Sequence, residues 1–231
     1  MGRLGRLVLC LTAAAGLAVL LCRAVLTEEA KGPTPIPLFN GKDLDGLYPF
    51  VAGHKKGEDP DGVFRVEDGM IRIAGKPNGY LMTEKQYDDF RVRIEYKWAT
   101  TEEGPRRNSG LLVRCQEPDR IWPTSFECQL MHTNEGDFWL CGNTTLTVDG
   151  KEQSGGRVRK KASGTKPLGE WNVVEAICDG GTITNIVNGV EVNKGTNASL
   201  RRGKILVQSE GAPLLVRKWE LIPLRSAREG T

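Results

Sequence analysis

Once a leader segment is set aside, this sequence lacks net charge of either sign. Arg3, Arg6 and Arg23 account for the formal +3, and without them 29 basic residues face 29 acidic ones. A balanced chain offers no footprint for a phosphate backbone, so no nucleic-acid partner is expected. Cys115, Cys128, Cys141 and Cys178 lack Cys-x-x-Cys or comparable ligand spacing, which argues against a zinc site. Sustained 3.6-residue periodicity is missing too, and no internal repeat recurs, which argues against a helical bundle and against a propeller.

What is present begins with a secretory pattern over residues 1–24. Arg3 and Arg6 supply a positive start, Leu7 to Leu21 an apolar run broken by Thr12 and Gly16, and Ala24 a small residue at which to cut. The expected product is a secreted or periplasmic protein of the cell envelope. The alternative is an uncleaved N-terminal segment that serves as a membrane anchor, although the run is short for a span. Lipidation at Cys22 is disfavoured because Leu21 stands where a small residue is needed. Residues 25–35 read as a linker, 36–224 as one folded domain and 225–231 as a polar tail. The four remaining cysteines would meet a compartment that permits disulfides; three pairings are open to them, with buried free thiols as the other outcome.

Within 36–224 the dominant signal is alternation. Phe90, Val92, Ile94, Tyr96 and Trp98 interleave with Arg91, Arg93, Glu95 and Lys97, the period-2 pattern of a half-buried strand. Further strands are expected at Met70 to Ile73, Leu111 to Cys115, Phe126 to Met131, Trp171 to Cys178, Thr182 to Val187, Ile205 to Gln208 and Leu214 to Leu221. Asp68-Gly69, Asp149-Gly150, Asp179-Gly180-Gly181 and Asn188-Gly189 are hairpin signals between them. Strands and tight turns without helices predict an all-β sandwich or jelly roll.

Parity then picks out polar residues. If Phe126, Cys128 and Leu130 face the core, Glu127 and Gln129 share the other face; if Ile205 and Val207 face the core, Gln208 and Glu210 do the same on their strand. Carboxylates and amides are the groups that hydrogen-bond sugar hydroxyls. Asn108 and Arg114 bracket a third strand, and Trp122, Trp139 and Trp171 are candidates to stack on the C–H face of a pyranose.

Several motifs follow one another along the chain: Pro37-Leu38-Phe39-Asn40-Gly41-Lys42-Asp43-Leu44, Asn108-Ser109-Gly110-Leu111-Leu112-Val113-Arg114, Phe126-Glu127-Cys128-Gln129-Leu130, Gly169-Glu170-Trp171-Asn172, Val187-Asn188-Gly189, Gln208-Ser209-Glu210-Gly211 and Arg217-Lys218-Trp219-Glu220-Leu221. Together they resemble the 3-keto-disaccharide hydrolase domain family. The resemblance spans residues 37–224 and implies a concanavalin A-like jelly roll with a sugar site on its concave sheet. It also implies a site of Asn108, Arg114, Glu127, Gln129, Gln208 and Glu210; Asp137 and Trp139 match a segment of one branch. Two departures stand out, His132 where many relatives carry an acidic residue and Glu210 where many carry histidine.

Retaining glucanases of this fold use Glu-x-Asp-x-x-Glu, whereas this register reads Glu127, Gln129 and His132, so the second carboxylate is missing. A 3-keto sugar permits another route, in which a base removes the acidified C2 proton, the C1 oxygen leaves, and water adds back. Glu127 is the expected base, Arg114 or Asn108 the enolate stabiliser, and Glu210 or His132 the acid. Such a substrate calls for an upstream sugar 3-dehydrogenase. No cofactor is expected, apart from a calcium that Glu127, Asp137 and Glu210 could share. The rival readings are a non-catalytic carbohydrate-binding module on the same sandwich and a structural envelope domain.

Overall fold

The computed structural model describes residues 33–104 and 106–224. The leader and the polar tail, with most of the linker, lie outside the described residues. Among the described residues there is no helix, and fifteen strands pair antiparallel in two sheets. One sheet runs β13 (Val190–Gly195), β12 (Thr182–Val187), β11 (Asn172–Asp179), β6 (Phe90–Trp98), β15 (Leu214–Pro223), β4 (Met70–Ile73) and β3 (Phe64–Glu67), with β1 (Ile36–Pro37) added along β15. The other runs β10 (Lys151–Val158), β9 (Phe138–Val148), β8 (Ser125–Gln129), β7 (Gly110–Cys115), β14 (Lys204–Ser209), β5 (Gly79–Thr83) and β2 (Leu47–Val51).

The alternating apolar residues meet between the sheets. Phe90, Val92, Ile94, Tyr96 and Trp98 of β6 pack in one cluster with Leu111, Val113, Phe126, Cys128, Ile205 and Val207 of the facing sheet. Burying such side chains is the main driving force for the sandwich. Tight turns keep the strands antiparallel. At Asp149-Gly150 and Asn188-Gly189 both residues have positive φ, the two-residue hairpin geometry that suits the twist of paired strands.

The four cysteines among the described residues, Cys115, Cys128, Cys141 and Cys178, are free. Cys128 and Cys178 sit on facing sheets, which pack about 10 Å apart, and β8 stands between Cys115 and Cys141.

The seven-stranded sheet has a second, smaller apolar cluster on its outer face, made of Tyr48, Tyr80, Met82, Leu112, Cys115 and Leu206. The candidate site lies on the same face and meets this cluster at Cys141.

Candidate functional site

Glu127, Gln129, Gln208 and Glu210 line one pocket of about 230 Å³ with Arg106, Asn108, Trp122, Trp139 and Cys141. The strand parity explains the grouping. Phe126 and Cys128 fill the core, which leaves Glu127 and Gln129 on the outer face, and Ile205 and Val207 do the same for Gln208. Strands β8 and β14 both pair with β7, so two segments far apart in sequence flank a common neighbour.

That neighbour contributes a glycine for a steric reason. A Cβ added to Gly110 would overlap Glu127 Oε1 and Gln208 Oε1, so any larger residue would fill the pocket floor.

The floor is rich in acceptors that lack donors. Asn108 Oδ1 and Gln208 Oε1 are buried without a hydrogen-bond partner, a costly arrangement unless a ligand supplies one. Gln129 is different, since its Oε1 accepts from the backbone N–H groups of Leu130 (2.9 Å) and Met131 (2.8 Å), leaving its amide N–H₂ to face a ligand. Burial, reinforced by the charge of Glu210, pushes Glu127 up to about 8. Burial raises Glu210 as well, opposed by a hydrogen bond from Asn108 and by the Arg106 charge. Two carboxyls in one pocket thus have unlike surroundings. Trp122 (43% exposed) and Trp139 (36% exposed) present indole surface at the pocket wall. Burial pushes the Cys141 thiol up to about 12, which favours its protonated form.

Other candidates fall elsewhere. Arg114 would share the outer face with Leu112 by parity, but β7 holds one extra residue opposite the Lys204–Leu206 step, and Arg114 has φ 55°. Its side chain therefore turns inward, donating to the carbonyls of Leu200 (2.6 Å) and Gly180 (2.7 Å). Cys115 takes the outer-face position instead. Arg114 is a buried structural arginine and does not reach the pocket.

Asp137 is also spoken for. Its Oδ2 accepts from Arg157 Nε (2.6 Å) and its Oδ1 from the Lys160 backbone N–H (2.7 Å). The calcium site drawn from Glu127, Asp137 and Glu210 therefore does not assemble, and no cluster of three or more His, Cys, Asp or Glu side chains placed for a metal occurs among the described residues. His132 does not line the pocket; its Nδ1 stands 3.4 Å from the buried Glu135 carboxyl. Trp171 lies under Lys97 and Arg217, with the cations 5.0 and 4.3 Å from its ring centroid.

Sequence reasoning passed over Arg106. It sits in an exposed loop without strand parity, and its only sequence signal is proximity to Asn108.

A jelly-roll sandwich with paired carboxyls, amides and two exposed tryptophans on one sheet face defines a carbohydrate-active protein of the glycosyl-hydrolase type. The chain belongs to the family described as the 3-keto-alpha-glucoside-1,2-lyase-like domain, whose model matches residues 34–222. A solved structure from Parabacteroides distasonis ATCC 8503, assigned as a glycosyl hydrolase, is similar at 25% identity and a TM-score of 0.61, covering 87% of this chain and 99% of that one. A second from the same organism, with the same assignment, is similar at 21% identity and a TM-score of 0.57, covering 83% and 100%. A Bacillus licheniformis beta-glucanase shares the fold at 12% identity and a TM-score of 0.54, covering 85% and 100%. No curated protein matches the sequence.

Proposed function

We propose that this protein, exported to the cell envelope, cleaves glycosides whose sugar is already oxidised at C3. The observation that carries the reading is the pocket floor: two carboxyls beside buried amide oxygens that have no donors, with tryptophans at the wall. Sugar hydroxyls are the donors such oxygens need, and an indole face suits a pyranose. An upstream 3-dehydrogenase would supply the ketone.

The ketone makes the C2 proton acidic. A base takes that proton, the electron pair of the C2–H bond moves toward the carbonyl, and the C1–O bond then breaks as the leaving oxygen gains a proton. Water adds to the resulting enone, and the sum is hydrolysis. Glu127 was the expected base, yet a carboxyl pushed up to about 8 holds its proton at neutral pH. Glu127 is accordingly the acid, and Glu210, helped toward its anion by Asn108 and Arg106, is the base. Arg106 takes the enolate-stabilising role that Arg114 cannot fill, together with the Gln129 amide.

The test is incubation of the purified domain with 3-keto and unoxidised glucosides. Release of sugar from the 3-keto compounds alone is the expected result. Saturable binding without release would overturn the reading in favour of a carbohydrate-binding module.

A further inference from the structure

Neighbouring antiparallel strands can be joined by two residues, but β7 and β8 are joined by a longer excursion, residues 116–124. Its anchors lie across the outer face of the sheet. Asp119 Oδ1 accepts from both Tyr48 Oη (2.8 Å) and Tyr80 Oη (2.7 Å). Glu117 accepts from the buried Lys204 Nζ (2.9 Å), and Gln116 Nε2 donates to the Arg202 carbonyl (2.6 Å). Lys56 adds a cation 3.8 Å from Asp119 Oδ2 and 3.9 Å above the Tyr48 ring. Three residues beyond Asp119, Trp122 reaches the pocket.

Strand β14 shows how the loop divides the face. Lys204 and Gln208 point to the same side about 13 Å apart, the first bonded to the loop and the second lining the open pocket. Leu206 lies between them in the apolar cluster.

We propose that Asp119 is a positioning residue that, through its shared bond to Tyr48 and Tyr80, fixes Trp122 as the closed wall of a one-ended sugar site. A ring seated against Trp122 must then direct its glycosidic substituent away from the loop, toward the β9 side where Trp139 stands. This inference rests on the sugar-cleaving reading of the pocket, and its test is chosen to stand without that reading.

Asp119→Ala removes the acceptor, whereas Asp119→Asn keeps an oxygen able to accept from both tyrosines. The double change Tyr48→Phe/Tyr80→Phe removes the donors. With a 3-keto glucoside, Asp119→Ala and the double variant should each raise KM about tenfold, the size of one lost ring contact. Their kcat should stay close to that of the parent, Asp119→Asn should restore KM, and combining Asp119→Ala with the double variant should add little further. A second readout needs no substrate. In a Trp139→Phe background, acrylamide should quench tryptophan fluorescence more strongly in Asp119→Ala than in Asp119→Asn. Unchanged quenching and KM alongside a lowered melting temperature would reduce Asp119 to a structural anchor and overturn the proposal. If no 3-keto glucoside is cleaved at all, the functional reading fails, and the quenching comparison alone decides the positioning of Trp122.

Discussion

Glu127 and Glu175 are strand carboxyls on the outer faces of the two sheets, and they are equally hidden, at 6% and 5% exposure. Their surroundings are opposite. Glu175 accepts from Arg91 Nε (3.0 Å) and Nη2 (2.6 Å), with Arg93 3.9 Å away. Around it the outer face of the eight-stranded sheet is a ladder of paired charges, in which Arg93 approaches Glu220 and Lys218 reaches Glu220 from the other side. Most of the polar groups around the hollow lined by Arg91, Arg93, Lys166, Glu175 and Asn188 are already engaged: Asn188 Nδ2 donates to the Gly164 carbonyl and to Asn172 Oδ1, while Arg93 Nε lacks an acceptor within hydrogen-bond distance. Glu127 has only burial and a like charge acting on it. Polar residues on a strand face do not by themselves mark a site; what sets the pocket apart is that two buried acceptors without donors, Asn108 Oδ1 and Gln208 Oε1, line an open cavity together with two carboxyls.

The comparison breaks hardest at Glu127 itself. Glu127→Gln keeps shape and hydrogen-bonding capacity but removes the transferable proton, so turnover of a 3-keto glucoside should fall by about 10² to 10⁴. Sugar binding should be kept, because the amide can still meet a hydroxyl. A variant that turns over at the parent rate would strip Glu127 of its role as acid and leave the pocket as a binding surface.

The matching change on the other sheet should have the reverse profile. Glu175→Gln leaves Arg91 partly unpaired in a half-buried setting, and stability should drop by about 1 to 3 kcal/mol. Turnover in the folded protein should not move. A fall in kcat without a fall in the urea midpoint would mean that the two faces are coupled, and the division into a satisfied and an unsatisfied face would need revision.

Much of this division was legible in the sequence, because parity is a strong rule wherever one strand face is buried. The alternation in β6, β8 and β14 located the core residues and, with them, the face shared by Glu127, Gln129 and Gln208. The rule fails where the backbone breaks period 2. At Arg114 a single extra residue reverses the side chain, and nothing in Leu111-Leu112-Val113-Arg114 announces it. Strand β5 (Gly-Tyr-Leu-Met-Thr) escaped notice because it is buried on both faces and does not alternate. Strand β10 escaped because, as an edge strand, it is exposed along most of its length. Long-range pairs such as Asp119 with Tyr48 and Tyr80 leave no local signature at all, since their spacing in sequence follows from sheet order. Protonation was out of reach for the same reason: the burial that raises Glu127 depends on which strands the sheet order sets beside β8.

The smallest effect should lie in the pH dependence of stability, where the sign separates the two carboxyls. Glu127 goes from an ordinary carboxyl near 4.5 in the unfolded chain to about 8 in the fold, so the folded state holds a proton that the unfolded chain releases between those values. The stability tied to this proton is fully present below about 4.5 and is lost as pH rises through 8. Glu127→Gln has no proton to lose, so the variant should gain on the parent across that window, and groups common to both proteins cancel in the difference. The full shift would set a ceiling near 5 kcal/mol, but water admitted to an open pocket and the coupling to Glu210 reduce it to about 1 to 2 kcal/mol. Urea midpoints of both proteins at pH 5 and pH 8.5 measure the gap directly. A gap that widens with pH places the proton on Glu127 and supports its role as acid. A gap that stays flat would mean that Glu127 is ionised throughout, and the acid and base would then have to exchange places.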